Sequence, residues 1–276
     1  MTIRMGMAQI LVEGGQPDAN LDRAVAAIRQ GAGLGCRAVI LPECLNLGWT
    51  DPSARELAQP IPGSHFDRLA EAARANRVHV AAGLVERSGP RLFNAAALIG
   101  PAGELLLHDR KINELDIALD LYSIGDRLGV AETELGTVGL AICADNFSDS
   151  LAVGHVLARM GAQIILSPSA WAVDADHDNV RDLYGQLWLD AYSELARLYD
   201  VTVVGVSNVG RLTAGPWKGR KCIGCSLAVG PEGVLARGPY GDAAEAVTVV
   251  EVQPRRPVGR GTLIAVALRE RGYGGP

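Results

Sequence analysis

The chain has 276 residues, 48% hydrophobic, 21% charged and 5% aromatic, with a formal net charge of -5. Such a length buries a sizeable core without covalent staples, and the composition is that of a globular protein rather than a disordered one. A negative balance argues against a broad nucleic-acid footprint, and no run reaches the ~18 apolar residues of a membrane span, so neither partner is expected.

The opening stretch "MTIRMGMAQILVEGG" is too short in its apolar part for a secretory signal, which makes a cytoplasmic location the expectation. Cysteines 36, 44, 143, 222 and 225 form an odd set without disulfide-framework spacing. Cys222 and Cys225 make a CxxC, but no second ligand pair is spaced for a metal, so no metal is expected.

Strand and helix signals alternate from the start. Ile3, Met5 and Met7 recur at period two, then Leu21, Ala24, Val25 and Ile28 at helical spacing, with Asp18 or Asn20 as the candidate N-cap. The glycines of "GAGLG", 31–35, follow this helix and precede a strand. A dinucleotide loop requires the reverse order, so they are read as a helix stop, and no cofactor is expected. "RAVIL" reads as a buried strand leading into "PEC", and "SHFDRLAEAARANR" as a helix with Ser64 and Asp67 as a capping box. "VHVAAGLVE" is the next strand, and "FNAAALIGPAGELLLHDRK" is two strands around a Gly-Pro-Ala-Gly turn.

The second half alternates in the same way, with helix "SDSLAVGHVLARMG", strand "AQIILSP", helix "LYGQLWLDAYSELARLYD", strand "VTVVGVSN" and the hairpin "KCIGCSLAVGPEGVLARG". Two similar halves without a linker predict a single α/β domain over 1–276, built as two packed sheets flanked by helices. The tail from about 255 is expected to be extended or to lie at an oligomer interface.

Three apolar runs end on reactive side chains: "AVILPECLN" on Glu43, "LLLHDRKINE" on Lys111 and "GLAICADN" on Cys143. Strand ends of a rigid sheet converge on one concave site, and the trio is chemically coherent. A cation favours a thiolate, so Lys111 is expected to activate Cys143. Glu43 is placed to take the thiol proton and later to activate water. The competing reading is a surface ion pair and a packed thiol.

The ordered segments "MAQILVEGGQPDANLDRAV", "VILPE", "FNAAALIGPAGELLLHDRK", "GTVGLAICAD", "ILSPSAW", "DAYSELARLYDVTVVGVSNVG" and "GCSLAVGPEGVLARG" cover most of positions 3–240. Together they resemble the nitrilase, or carbon-nitrogen hydrolase, superfamily. The resemblance implies a four-layer α-β-β-α sandwich that commonly dimerises, and a Glu43, Lys111, Cys143 triad. It implies attack by the cysteine on an amide, carbamoyl or nitrile carbon of a small molecule, with Lys111 and the Ala144 N–H stabilising the oxyanion. The leading expectation is hydrolysis of a small amide or N-carbamoyl compound through a thioester; the alternatives are nitrile hydrolysis, acyl transfer on the same triad, or a non-catalytic scaffold.

The sequence departs from the family where a second glutamate usually follows the lysine. "KINELDIALDLYSIGD" is short there, and Glu114 and Asp120 are the candidate supporting acids, each with an alternative reading as an exposed charge. After Cys143, Ser148 and Asp149 replace a more usual Pro-Glu. Trp171 resembles a pocket-lining position, against a plain reading as core. The acids and Arg181 of "WAVDADHDNVRDLYGQ" suggest a polar or charged end on the substrate.

Overall fold

A computed structural model describes residues 2–256 and 263–272. The first half runs β1 (Ile3–Gln9), α1 (Pro17–Gly33), β2 (Ala38–Ile40), α2 (Ala54–Leu57), α3 (Ser64–Asn76), β3 (His79–Ser88), β4 (Arg91–Ile99) and β5 (Leu105–Arg110). The second runs β6 (Val130–Thr133), β7 (Gly136–Leu140), α4 (Ala152–Met160), β8 (Ile164–Ser169), β9 (Ala172–Val173), α5 (Gln186–Tyr199) and β10 (Thr202–Ser207). β11 (Val209–Arg211), β12 (Lys221–Ile223), β13 (Leu227–Gly230), β14 (Gly233–Arg237), β15 (Ala246–Val252) and α6 (Leu263–Glu270) complete it.

Two six-stranded sheets carry the architecture, in the orders β15-β1-β2-β3-β4-β5 and β14-β13-β10-β8-β7-β6. Each has three parallel strands at its centre and antiparallel strands at its margins, as the mixture of helical crossovers and hairpin turns requires. β9, β11 and β12 form a small third sheet. The alternation of side chains along a strand then decides the layers. Met5, Met7, Ala38, Ile40, Ala96 and Leu98 enter a core with Leu140 and Leu166 of the second sheet. The alternate residues Ala8, Val39, Leu41, Ala97 and Ile99 pack with Leu21 and Ile28 of α1 and Leu69 of α3. On the far side, α5 covers β10 and β13. The result is the α-β-β-α sandwich expected.

Local expectations fared unevenly. α1 stops at the glycine cluster, with Gly35 at φ 77°, but neither Asp18 nor Asn20 caps its start, where Gln16 stands without a side-chain bond. Asn20 is buried, accepts from the Glu13 N–H and donates to the carbonyls of Glu13 and Asn46, so it anchors the loop that precedes the helix. Ser64 and Asp67 form no capping box: Gly63 is the N-cap, and the Asp67 N–H bonds to its carbonyl. β15 had no counterpart among the predicted strands; it pairs antiparallel with β1 along the whole of that strand and joins the chain's end to its beginning. Of the tail from about 255, residues 257–262 and 273–276 lie outside the described residues, while α6 brings Leu268 into the core. Among the described residues no helix is long and apolar enough to cross a membrane.

Candidate active site

Glu43 follows β2 by three residues in a loop braced from both sides. Its N–H bonds to the Ser169 carbonyl at the end of β8, and Gly83 of β3 continues the ladder by donating to the Pro42 carbonyl and accepting from Leu45. A Cβ on Gly83 would lie 2.5 Å from the Glu43 Cα, so only glycine allows this approach. Lys111 is the residue after β5, and its N–H bonds to the Asn94 carbonyl of β4. Cys143 lies just beyond β7 and opens a 3-10 turn, Cys143–Asn146, at φ 44°. A non-glycine residue there is uncommon and costs backbone strain. The turn is held by Asn146, whose Nδ2 donates to the Ala141 carbonyl and Ser167 Oγ, both at 3.0 Å.

Lys111 Nζ donates to Glu43 Oε1 at 2.7 Å, and Glu114 Oε2 lies 3.7 Å away on the same ammonium. The three side chains are 0–1% exposed. Asn94 Nδ2 donates to the same Glu43 oxygen at 2.6 Å. Glu114 is therefore not exposed, and three residues after Lys111 the chain returns its carboxyl group to the ammonium. Asp120 is the exposed one; its carbonyl accepts from Arg55 on the surface.

Glu43, Lys111, Cys143, Ala144 and Trp171 line a single cavity of about 90 Å³, small beside the ~300–1,000 Å³ of drug-sized sites. The residues predicted for the triad and the pocket are thus brought together. A larger open groove of about 740 Å³ between α4 and α5, lined by Ser148, Asp149 and His155, contains none of them. Arg181 is also outside the cavity: its side chain is 88% exposed and pairs with Asp178, so the expected charged substrate end finds no partner there.

Electrostatics distinguish the groups. Burial acts to lower the Lys111 pKa, but the charges of Glu43 and Glu114 outweigh it and hold it well above its usual value. Burial, helped by Glu43, pushes the Cys143 thiol well up, and the opposing pull of Lys111 is too small to reverse this. The sulfur is therefore a thiol at neutral pH, not the thiolate expected from Lys111 alone. Burial and the neighbouring Glu43 and Asp145 raise Glu114 to about 8.

Sequence reading missed Asn94, although an amide within the apolar run "FNAAALIG" is a signal of a buried hydrogen-bonding role. It also missed Trp49, Tyr184, Trp188 and Trp217, the further large aromatic side chains that line the cavity with Phe147; nothing local marks them.

A two-sheet sandwich with a buried Glu-Lys pair and a cysteine at one cavity is the arrangement of a carbon-nitrogen hydrolase. The carbon-nitrogen hydrolase family profile matches residues 5–256, and the chain belongs to that family. Omega-amidase NIT2 of Danio rerio is 32% identical over 178 residues, 61% of this chain and 63% of the relative. The Mus musculus protein is 31% identical over 180 residues, 62% and 64% of the two chains. These matches span less than two thirds of either relative. Among solved structures, the carbon-nitrogen hydrolase from Helicobacter pylori G27 superposes with a TM-score of 0.79 at 20% identity, covering 98% of this chain and 93% of the other. An amidase from Nesterenkonia sp. gives 0.74 at 21% identity, covering 91% and 90%.

Proposed function

We propose that the protein hydrolyses the C–N bond of a small amide or N-carbamoyl compound through a thioester on Cys143. The observation that carries this reading is the Glu43–Lys111 ion pair, sealed from water on the same 90 Å³ cavity as the Cys143 thiol. Burying such a pair is costly unless it serves a ligand or a reaction.

Because the sulfur starts as a thiol, attack requires a base, and Glu43 is that base. Sγ bonds to the carbonyl carbon while its proton passes to Glu43, and the carbonyl oxygen gains the negative charge. Lys111 and the Ala144 N–H stabilise that oxyanion. Glu43 then protonates the departing nitrogen, the C–N bond breaks, and ammonia or an amine leaves the thioester. Water, deprotonated by Glu43, attacks the same carbon; the C–S bond breaks and the thiol is restored. Glu114 supports Lys111 from its other side.

The amide class is favoured by the omega-amidases among the relatives. In the Nesterenkonia sp. AN1 amidase, the active-site cysteine of a variant carries the acetamide moiety of fluoroacetamide. The test is ammonia release from a panel of amides, carbamoyl compounds and nitriles, with mass spectrometry of the trapped protein. Turnover with an acyl adduct on Cys143 is expected, and both vanish in Cys143→Ala; full activity in that variant would exclude the mechanism. A homodimer in the cytoplasm belongs to the same reading, supported by the exposed Val156 and Met160 on α4 and by five free cysteines, and sedimentation measures its size.

A further inference from the structure

The sequence contains four tryptophans, and all four, Trp49, Trp171, Trp188 and Trp217, line the cavity that holds Cys143. Their positions are scattered through the chain, so the fold gathers them. Trp171 and Trp188 stack at 4.7 Å between ring centroids with planes 19° apart, and Phe147 lies 5.0 Å from Trp188. On another part of the wall Trp49 and Trp217 pack at 4.8 Å. Half-buried Tyr184 sits 6.4 Å from Trp171.

The charges nearby are already committed. Lys111 is the one cation on the wall among the described residues, and it lies between Glu43 and Glu114. Arg220 stacks on Trp217 at 4.3 Å, outside the lining, and pairs with Asp174 at 2.9 Å. A carboxylate carried into this space meets the Glu43 carboxylate already paired with Lys111, the one ammonium on the wall among the described residues, and an ammonium meets a Lys111 that already holds Glu43. Desolvating either without a dedicated partner is costly, whereas apolar atoms gain contact with several indole faces.

We infer that the aromatic wall selects amides with a short, uncharged, apolar acyl group, and rejects those whose acyl chain ends in a carboxylate or an ammonium. This rests on the amidase reading for its chemistry, but the wall can be tested by binding alone. Since every tryptophan lines the site, intrinsic fluorescence reports occupancy directly.

The experiment compares three amides of matched length: isocaproamide, succinamate and γ-aminobutyramide. Each is titrated into Cys143→Ala by tryptophan fluorescence and assayed with the wild-type enzyme by ammonia release. Isocaproamide is expected to bind, and to be turned over in kcat/KM, at least about tenfold better than either charged amide. If isocaproamide binds with that preference but nothing is hydrolysed, the amidase reading fails while the selectivity stands. If succinamate or γ-aminobutyramide binds or reacts as well as isocaproamide, or no amide alters the fluorescence, the inference is overturned.

Discussion

Asp145 Oδ1 accepts hydrogen bonds from both the backbone N–H of Asn113, at 2.8 Å, and its side-chain Nδ2, at 2.9 Å. Its Oδ2 accepts from the Ile142 N–H at 3.1 Å. One buried carboxylate thus ties the segment after Lys111 to the turn that begins at Cys143. Asp145→Ala leaves buried N–H groups without acceptors, a loss on the order of 2–4 kcal/mol of stability. Asp145 is not part of the cavity wall, so its effect on turnover is positional. In the Ala variant kcat is expected to fall by about a hundredfold with KM changed much less, and iodoacetamide should alkylate Cys143 at an altered rate. Unchanged kcat in a folded variant would remove Asp145 from the support of the site.

Gly83 supplies the equivalent support for Glu43. An added Cβ would also lie 2.7 Å from the Pro42 carbonyl oxygen, and both neighbours are backbone, which cannot swing away. Gly83→Ala must therefore displace the Glu43 loop. Overpacking of this kind costs about 1–3 kcal/mol, and a shift near 1 Å at Glu43, the base of the proposed mechanism, is expected to lower kcat by roughly a hundredfold. Thermal unfolding and steady-state kinetics measure the two separately.

How much of this was readable in the chain depends on the range over which each feature is fixed. The alternation at Met5 and Met7 announced a strand because a pleat imposes period two on any sheet with a buried face, and that pattern is local. The strand-end positions of Glu43, Lys111 and Cys143 were legible for the same reason, one apolar run at a time. Caps were not: Asn20 has the right chemistry to cap α1, but Glu13 and Asn46 offer it more bonds in the fold. Glu114 follows Lys111 by three residues, a spacing that says nothing about burial, and only the packed loop turns it inward. β15 and the four-tryptophan wall depend on partners from distant parts of the chain, and no window of sequence contains them.

The buried acids make stability depend on pH in opposite directions. Glu114 titrates at about 8 in the fold against 4.5 for the free side chain, mainly through burial. Between those values the folded chain keeps a proton that the unfolded chain has released, so stability falls as pH rises. Asp109, raised by burial to about 6 from 3.8, adds to that fall in the lower part of the range. In Glu86 burial acts upward, but Arg110 and His108 bring its pKa down to about 2 from 4.5; its contribution is complete above 4.5 and disappears as pH falls through about 2. Glu114→Gln is expected to flatten the decline in urea midpoint between about pH 5 and pH 8, leaving the acid limb in place. An equal decline in the variant would mean that Glu114 is ionised throughout.

Cys143 combines a left-handed backbone with a place in the cavity wall, and the two can be separated by substitution. At φ 44° any residue with a Cβ is penalised by about 1–2 kcal/mol, and glycine is not. Glycine also loses more freedom on folding, by roughly 0.5–1 kcal/mol. The difference leaves Cys143→Gly more stable than Cys143→Ala by about 0.5–1 kcal/mol, the reverse of their order at a position in a regular strand or helix. Neither variant can form a thioester, so both should be inactive whatever their stability. Chemical denaturation of the pair gives the energetic order. If Ala proved the more stable, the turn would not hold Cys143 in the left-handed region, and the sulfur would reach the substrate by another geometry.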